Sequence, residues 1–266
     1  MNRSLPLIAA VCLIATLALA ADQETPQFAR QRDLLSLHYD HAPDKDDGHS
    51  AAADRMILQS LFGEKWIAKH AVAVSGAYGK NADTFNDKSD AVMDAAWNDC
   101  GGWLDGHADH DKVVAELAKR WQAALAAGGD VWVKEGGQSD ITAAVVRAIR
   151  QKSPDIDTTR RIHLIQHSRW NEEQTTDEAL RYVRGATRYV KIRDANAYLN
   201  IQGGDDAFEA AALAHGDFGP AWRAAFAYYD PAERLDFSDT GELLHILRLG
   251  ELSVDKIRER FLVDDR

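Results

Sequence analysis

The chain of 266 residues carries 31 lysines and arginines against 42 aspartates and glutamates, a formal net charge of −11, with 45% hydrophobic residues and two cysteines. An acidic surface without a basic stripe repels phosphate backbones and excludes a nucleic acid polymer as partner. The lone pair of distant cysteines excludes a disulfide scaffold. The length and apolar content are enough to bury a sizeable core.

Residues 1–20 read as a secretory leader. Asn2-Arg3 is a short positive start, Leu5 to Ala20 is apolar and uncharged, and Ala18-Leu19-Ala20 gives a small-x-small cleavage signal. The apolar run is short for a membrane span, which disfavours an uncleaved anchor. Cleavage near Ala20 would remove Cys12 and Arg3, leave a chain from 21 to 266 still more acidic, and send it to the periplasm or the medium with no membrane attachment.

The predicted elements then follow in order. Leu34 to Tyr39 reads as a strand and stops in the acidic loop Asp40-His41-Ala42-Pro43-Asp44-Lys45-Asp46-Asp47, after which Met56, Ile57, Leu61 and Phe62 mark a helix. Ala71 to Ser75 is a second strand, followed by a helix near Ser89 to Trp97 and a long one from Lys112 to Ala127. Asp130 to Lys134 is the third strand, turned by Gly136-Gly137 into a helix from Ser139 to Gln151. There Ile141, Ala144, Val145, Ala148 and Ile149 share one face. Ile162 to Gln166 and Tyr189 to Ile192 give two more strands around a helix from about Thr176 to Gly185. Beyond Asp194 the pattern weakens, with helices expected at Ala207 to Ala214, Gly241 to Leu249 and Asp255 to Leu262. This alternation predicts an α/β fold in one domain: a mostly parallel sheet flanked by helices.

In such sheets ligands bind beyond the carboxyl ends of the strands. The first of those ends is the densest in charge, with four aspartates in one short loop. Oxygen-only ligands suit Ca²⁺, or Mg²⁺ less well, while a solvated acidic turn at a helix start is the alternative. The run Asp105-Gly106-His107-Ala108-Asp109-His110-Asp111 offers a weaker transition-metal motif that a loop before a helix explains as well. Cys100 has no context for a nucleophile. Trp103, Trp132, Trp170 and Trp222 are candidate stacking surfaces, with Trp132 expected in the core. Glu172-Glu173 is explained either as an acid/base pair or as charge at a helix start.

The segment from Asp40 to Ser50 resembles the first-strand loop of the nucleoside hydrolase superfamily, and most closely a branch of nucleoside hydrolase-like proteins named for cellulose binding. The loop of that branch runs roughly D-x-G-G-D-P-D-D-Q-Q-S, which puts Asp40, Asp44, Asp46, Asp47 and Ser50 in register. Three later segments agree in order: Val131 to Gly137 before an Ala-rich helix, Ile165 to Glu172, and His215 to Gly219 followed by Phe237 to Thr240. The resemblance implies a Rossmann-like nucleoside hydrolase architecture and a Ca²⁺-dependent hydrolase of nucleoside-type N-glycosidic or related glycosidic bonds. Carried over, the metal ligands are Asp44, Asp47, Asp239 and the backbone carbonyl of Glu135. Asp44 is also the general base, with Asp40 its rival, and Asp46 faces the sugar hydroxyls. Asn81, His167, Asn171 and Trp170 are the substrate-binding candidates. The partner would be a small-molecule nucleoside or saccharide, and the sequence leaves homo-oligomerisation open.

Three departures bear on this. Lys45 stands where the pattern has proline, Ala42-Pro43 replaces glycines, and Ser238 stands before Asp239 where some nucleoside hydrolases have a leaving-group histidine. His41, His49 or His167 would then have to supply the acid. A non-catalytic carbohydrate-binding protein on the same fold is the rival reading.

Overall fold

The computed structural model describes residues 25–263, so the leader reading and its cleavage site fall outside the described residues. Six strands form one parallel sheet: β1 (Leu34–Tyr39), β2 (Ala71–Ser75), β3 (Trp103–Asp105), β4 (Val131–Gly136), β5 (Ile162–Gln166) and β6 (Arg188–Lys191). Their spatial order is β3-β2-β1-β4-β5-β6. Two short strands, β7 (Asn200–Gln202) and β8 (Arg234–Asp236), make a separate antiparallel pair. The α/β architecture expected from the alternation is present, and the strand order is that of a doubly wound, Rossmann-like sheet. Among the described residues no helix is long and apolar enough to cross a membrane.

The sheet is buried on both faces because its central strands are apolar on both. In β1, Leu35, Leu37 and Tyr39 enter one core and Leu34 the other; in β4, Trp132 enters the first and Val131 and Val133 the second. The second core closes under the helices His110–Ala126, Asp140–Lys152 and Asp177–Ala186, around the fully buried Trp121. The first is covered by Asp46–Phe62, Asp90–Trp97, Gly219–Tyr228, Thr240–Ile246 and Val254–Phe261. The Asp46–Phe62 helix is buried from Asp47 to Leu58, and its Ala51-Ala52-Ala53 run lets neighbours approach closely. Gly48 belongs to the same requirement, since a Cβ there would lie 2.5 Å from the Tyr228 ring.

Strand alternation also separates two adjacent charged residues. Lys134 points to the first core, over the Tyr39 ring, whereas Glu135 points to the second, where its carboxylate lies 3.2 Å from His38 Nδ1. After β1 the chain enters the Asp46–Phe62 helix on one face, and after β4 it enters Asp140–Lys152 on the other. The two loops diverge, and the crevice of the fold opens between them.

That crevice is pinned from both sides. Asp40, the residue after β1, accepts the Ala42 amide on Oδ1 (3.1 Å) and the Gln138 amide on Oδ2 (3.0 Å), so one carboxylate ties the β1 loop to the turn after β4. Gly137 leaves room for this contact at φ +92°, and a Cβ there would fall 2.1 Å from the Asp40 carboxyl carbon. On the other rim, the Arg169–Gln174 helix is anchored by Glu172, which is buried and accepts Tyr189 Oη (2.7 Å), Arg184 and Lys191. Burial alone would raise its carboxyl, but Lys191, Tyr189 and Arg184 outweigh that and hold it below the ordinary glutamate range.

Two outcomes follow for stability. Gly137→Ala should destabilise the fold by about 1–3 kcal/mol from the backbone strain alone, before the clash with Asp40 is added, as read by urea unfolding. Glu172→Gln should lower the Tm at pH 7 by about 2–4 °C for each kcal/mol lost. A lowered carboxyl stabilises the folded state above its unfolded pKa and loses that contribution as pH falls through the folded one. The gap between wild type and variant should therefore close on acidification below the ordinary glutamate range. A gap independent of pH would show that the charge of Glu172 does not anchor the helix.

Candidate metal centre

A cavity of about 240 Å³ lies at the carboxyl ends of β1, β4 and β5, and six carboxylates line it: Asp40, Asp44, Asp46, Asp47, Asp236 and Asp239. The first four come from the β1 loop and the start of its helix. The last two come from β8 and the turn that follows it, which the β7–β8 pair brings over the sheet end by way of the Phe237 amide on the Leu199 carbonyl (3.1 Å).

Asp46 and Asp47 occupy the first turn of the Asp46–Phe62 helix, where unpaired amides and the helix dipole favour negative charge. Asp47 is 2% exposed; its Oδ2 accepts the His41 amide at 2.7 Å, and its Oδ1 has no hydrogen-bond partner. Asp239 begins the Thr240–Ile246 helix, and its Oδ1 accepts His167 Nε2 (2.7 Å) and Asn171 Nδ2 (3.2 Å). One oxygen each from Asp46, Asp47 and Asp239 lie within 4.8 Å of one another, a group that could hold a metal ion. A buried carboxylate oxygen without a donor is costly, and a hard cation ligated by oxygens satisfies it.

The electrostatics agree. Burial, with the neighbouring carboxylates, pushes both Asp46 and Asp47 well above the usual carboxylate range. Burial raises Asp40 to about 8 and Asp236 to about 6 against the pull of their own hydrogen bonds. Asp239 is the exception: burial would raise it, but Lys134 and His167 outweigh that and hold it low. Burial opposes protonation of His167, yet Asp194 and Asp239 push it up to about 10, so it faces the cluster as an imidazolium. Two buried cations therefore flank the carboxylates, Lys134 from below and His167 from the side.

Most residues expected at the site are brought together. Asp44, Asp46, Asp47, Asp239, His167, Trp170 and Asn171 all line the cavity, and Trp170 stands 53% exposed at its mouth. Two expected residues do not reach it. Glu135 sends its carboxylate to His38 on the opposite face of the sheet and its carbonyl accepts Gln166 Nε2 at 2.9 Å, while Asp46 joins Asp47 and Asp239 in the cluster. Asn81 donates to Gln174, which itself lines the cavity, and so stands one residue behind the wall. Lys45 is exposed, its Nζ 6.0 Å from the Tyr228 ring centre, and does not line the cavity.

His41 and His49 are sealed away from ligand. Burial among Tyr39, Phe85 and Tyr228 lowers His41 to about 3, and burial lowers His49 to about 4, with its Nε2 donating to the Tyr229 carbonyl at 2.9 Å. Of the three candidate acids only His167 faces the site. His107 stacks on Phe85 at 3.8 Å and His110 packs on Tyr78, so that run serves as a capped loop, with the Lys112 amide on Asp109. Trp132 and Trp222 are core residues, and Trp103 donates to Asp94. Burial pushes the Cys100 thiol up to about 11 beside Arg55, unsuited to nucleophilic chemistry.

Sequence reasoning missed Asp236, Arg234, Asn196 and Gln174 in the wall and Lys134 beneath it. For Asp236 a signal existed, since it immediately precedes the Phe237-to-Thr240 segment already singled out. For Lys134 the signal was a lysine inside an otherwise apolar strand. No family model matches the chain, and no curated protein or solved structure matches it.

Proposed function

We propose that the protein is an exported Ca²⁺-dependent hydrolase of nucleoside-type N-glycosidic or related glycosidic bonds. The unpartnered Oδ1 of Asp47, buried beside Asp46 and Asp239, carries the reading, because it asks for a cation at the floor of a cavity large enough for a sugar ring. Asp46, Asp47 and Asp239 would hold Ca²⁺, which favours carboxylate oxygens in flexible number and geometry. When bound, it would supply Lewis acidity toward a water nucleophile and an anchor for ligand hydroxyls.

The chain's own residues supply the rest. Asp44, exposed on the cavity wall, takes the proton from the attacking water as the bond between the anomeric carbon and the leaving group breaks. Asn171 Nδ2, already on Asp239, is placed to donate to a sugar hydroxyl, and Trp170 offers a flat face at the mouth. The leaving group departs with a proton from solvent or from His167.

One observation favours a second reading, a carbohydrate-binding protein without turnover. Both ring nitrogens of His167 face carboxylates, Nε2 at 2.7 Å from Asp239 and Nδ1 at 3.6 Å from Asp194, which commits the one histidine in the cavity to ion pairs.

The metal reading predicts that CaCl₂ at one hundred times its Kd stabilises the EDTA-stripped protein by about 2.7 kcal/mol, and that Asp47→Asn or Asp239→Asn abolishes the gain in a thermal melt. A wild type whose melt ignores both EDTA and CaCl₂ would sink it. Turnover is tested on a panel of nucleosides and p-nitrophenyl glycosides with Ca²⁺ present. Hydrolysis should fall at least about 100-fold in kcat for Asp44→Asn, with KM little changed. No turnover of any substrate, together with measurable oligosaccharide binding, decides for the second reading.

A further inference from the structure

Lys134 is the one lysine of the sheet buried to 0% exposure, and neither the fold nor the reaction above accounts for it. Its ammonium lies 3.4 Å from the His38 carbonyl, 3.7 Å from Asp54 Oδ2 and 4.1 Å from the centre of the Tyr39 ring. Asp54 is itself held by Tyr39 Oη at 2.7 Å. Gly136 shows how near the ammonium stands to the cluster: a Cβ there would meet Lys134 Nζ at 2.6 Å and Asp47 Oδ1 at 3.0 Å. The oxygen without a hydrogen bond and the buried ammonium thus flank the same point of the backbone, with the ammonium on the core side and the cavity on the other. Lys134 does not line the cavity, so it is shut off from ligand and acts on the site through charge. A buried ammonium is retained only where carboxylates offset its desolvation, and Asp54, Asp47, Asp239 and Glu242 surround this one.

Resting on the metal reading, we propose that Lys134 is the internal counter-ion of the centre. Its ammonium keeps Asp47 and Asp239 assembled without a metal, and it weakens the divalent cation's binding to a level at which the ion exchanges. A fixed positive charge beneath the cluster offsets part of the carboxylate repulsion that would otherwise require a metal for folding. The same charge repels an incoming dication across a dry interior, where Coulomb interactions are strong.

The test compares wild type with Lys134→Met, which keeps an unbranched apolar stem one atom shorter and removes the charge. Isothermal titration of CaCl₂ into EDTA-stripped protein should show binding at least about tenfold tighter in the variant. Equal or weaker affinity in the variant overturns this proposal and leaves the metal reading standing. Binding to neither protein overturns both. The stripped wild type supplies a measurement that does not depend on the variant folding. Its near-ultraviolet circular dichroism should match that of the Ca²⁺-loaded protein and its melt should stay cooperative. A stripped wild type that loses its tertiary signal shows that the ammonium does not hold the cluster, and overturns the proposal.

Discussion

The balance between buried carboxylates and buried cations at the carboxyl ends of β1 and β4 governs the arrangement of this molecule. Asp47, Asp54, Asp239 and Glu242 are all within the interior, and each would be untenable as an isolated charge. They persist because Lys134 lies among them and because His167 offers its Nε2 to Asp239 and its amide to Glu242 at 2.7 Å. The geometry of the sheet makes this convergence unavoidable. The β1 and β4 loops part to opposite faces, leaving a crevice whose walls are loop ends and helix starts rich in unpaired amides. Negative side chains are favoured there by the helix ends, and their mutual repulsion is then met by cations from the strands beneath.

Rigidity at the crevice comes from neutral contacts as much as from charge. Asp40 gives both its oxygens to backbone amides, which turns it into a clamp between two loops. The contact requires Gly137 and fixes the spacing between the start of the Asp46–Phe62 helix and the turn after β4. Glu172 fixes the opposite wall by charge, holding the short helix that carries Trp170 and Asn171 against β6. With both walls fixed, the distance between Asp239 and the Asp46–Asp47 pair is set by the fold rather than by a ligand.

The parts legible in the sequence were those with local signals. β1, β2, β4, β5 and β6 are short runs centred on apolar residues, and each is found within a residue or two of its expected place. β3 was not legible, being three half-buried residues whose strand character comes only from pairing with β2. β7 and β8 are as short and are joined across a long intervening segment, so no local pattern announces them. The Gly219–Tyr228 helix was hidden behind the His215-to-Gly219 motif and begins on Gly-Pro, which reads as a break although proline is favoured in a first turn. In the site, the aspartates of the first loop were visible because they are contiguous. Asp239 was reachable only through the resemblance, since nothing local ties it to residues so far away in the chain. Glu135 is different: the period of two along β4 was sufficient to place its side chain and that of Lys134 on opposite faces.

That alternation also bears on what kind of cation the centre suits. Lys45, the basic residue within the acidic loop, is turned to solvent, so the offsetting charge comes from Lys134 on β4, beneath the cavity, and from His167 just after β5, in its wall. Even so, burial and the neighbouring carboxylates push Asp46 and Asp47 well above the usual carboxylate range. The oxygen-only donors of the cluster disfavour a soft transition metal. A hard divalent cation, if held by Asp46, Asp47 and Asp239, would suit such donors. It would also leave Asp44 and Asp236 on the outer wall as acceptors for a polar ligand, where Trp170 covers one side of the entrance. With Lys134 shut in beneath the cluster, the cavity is the open side from which Asp46, Asp47 and Asp239 are reached.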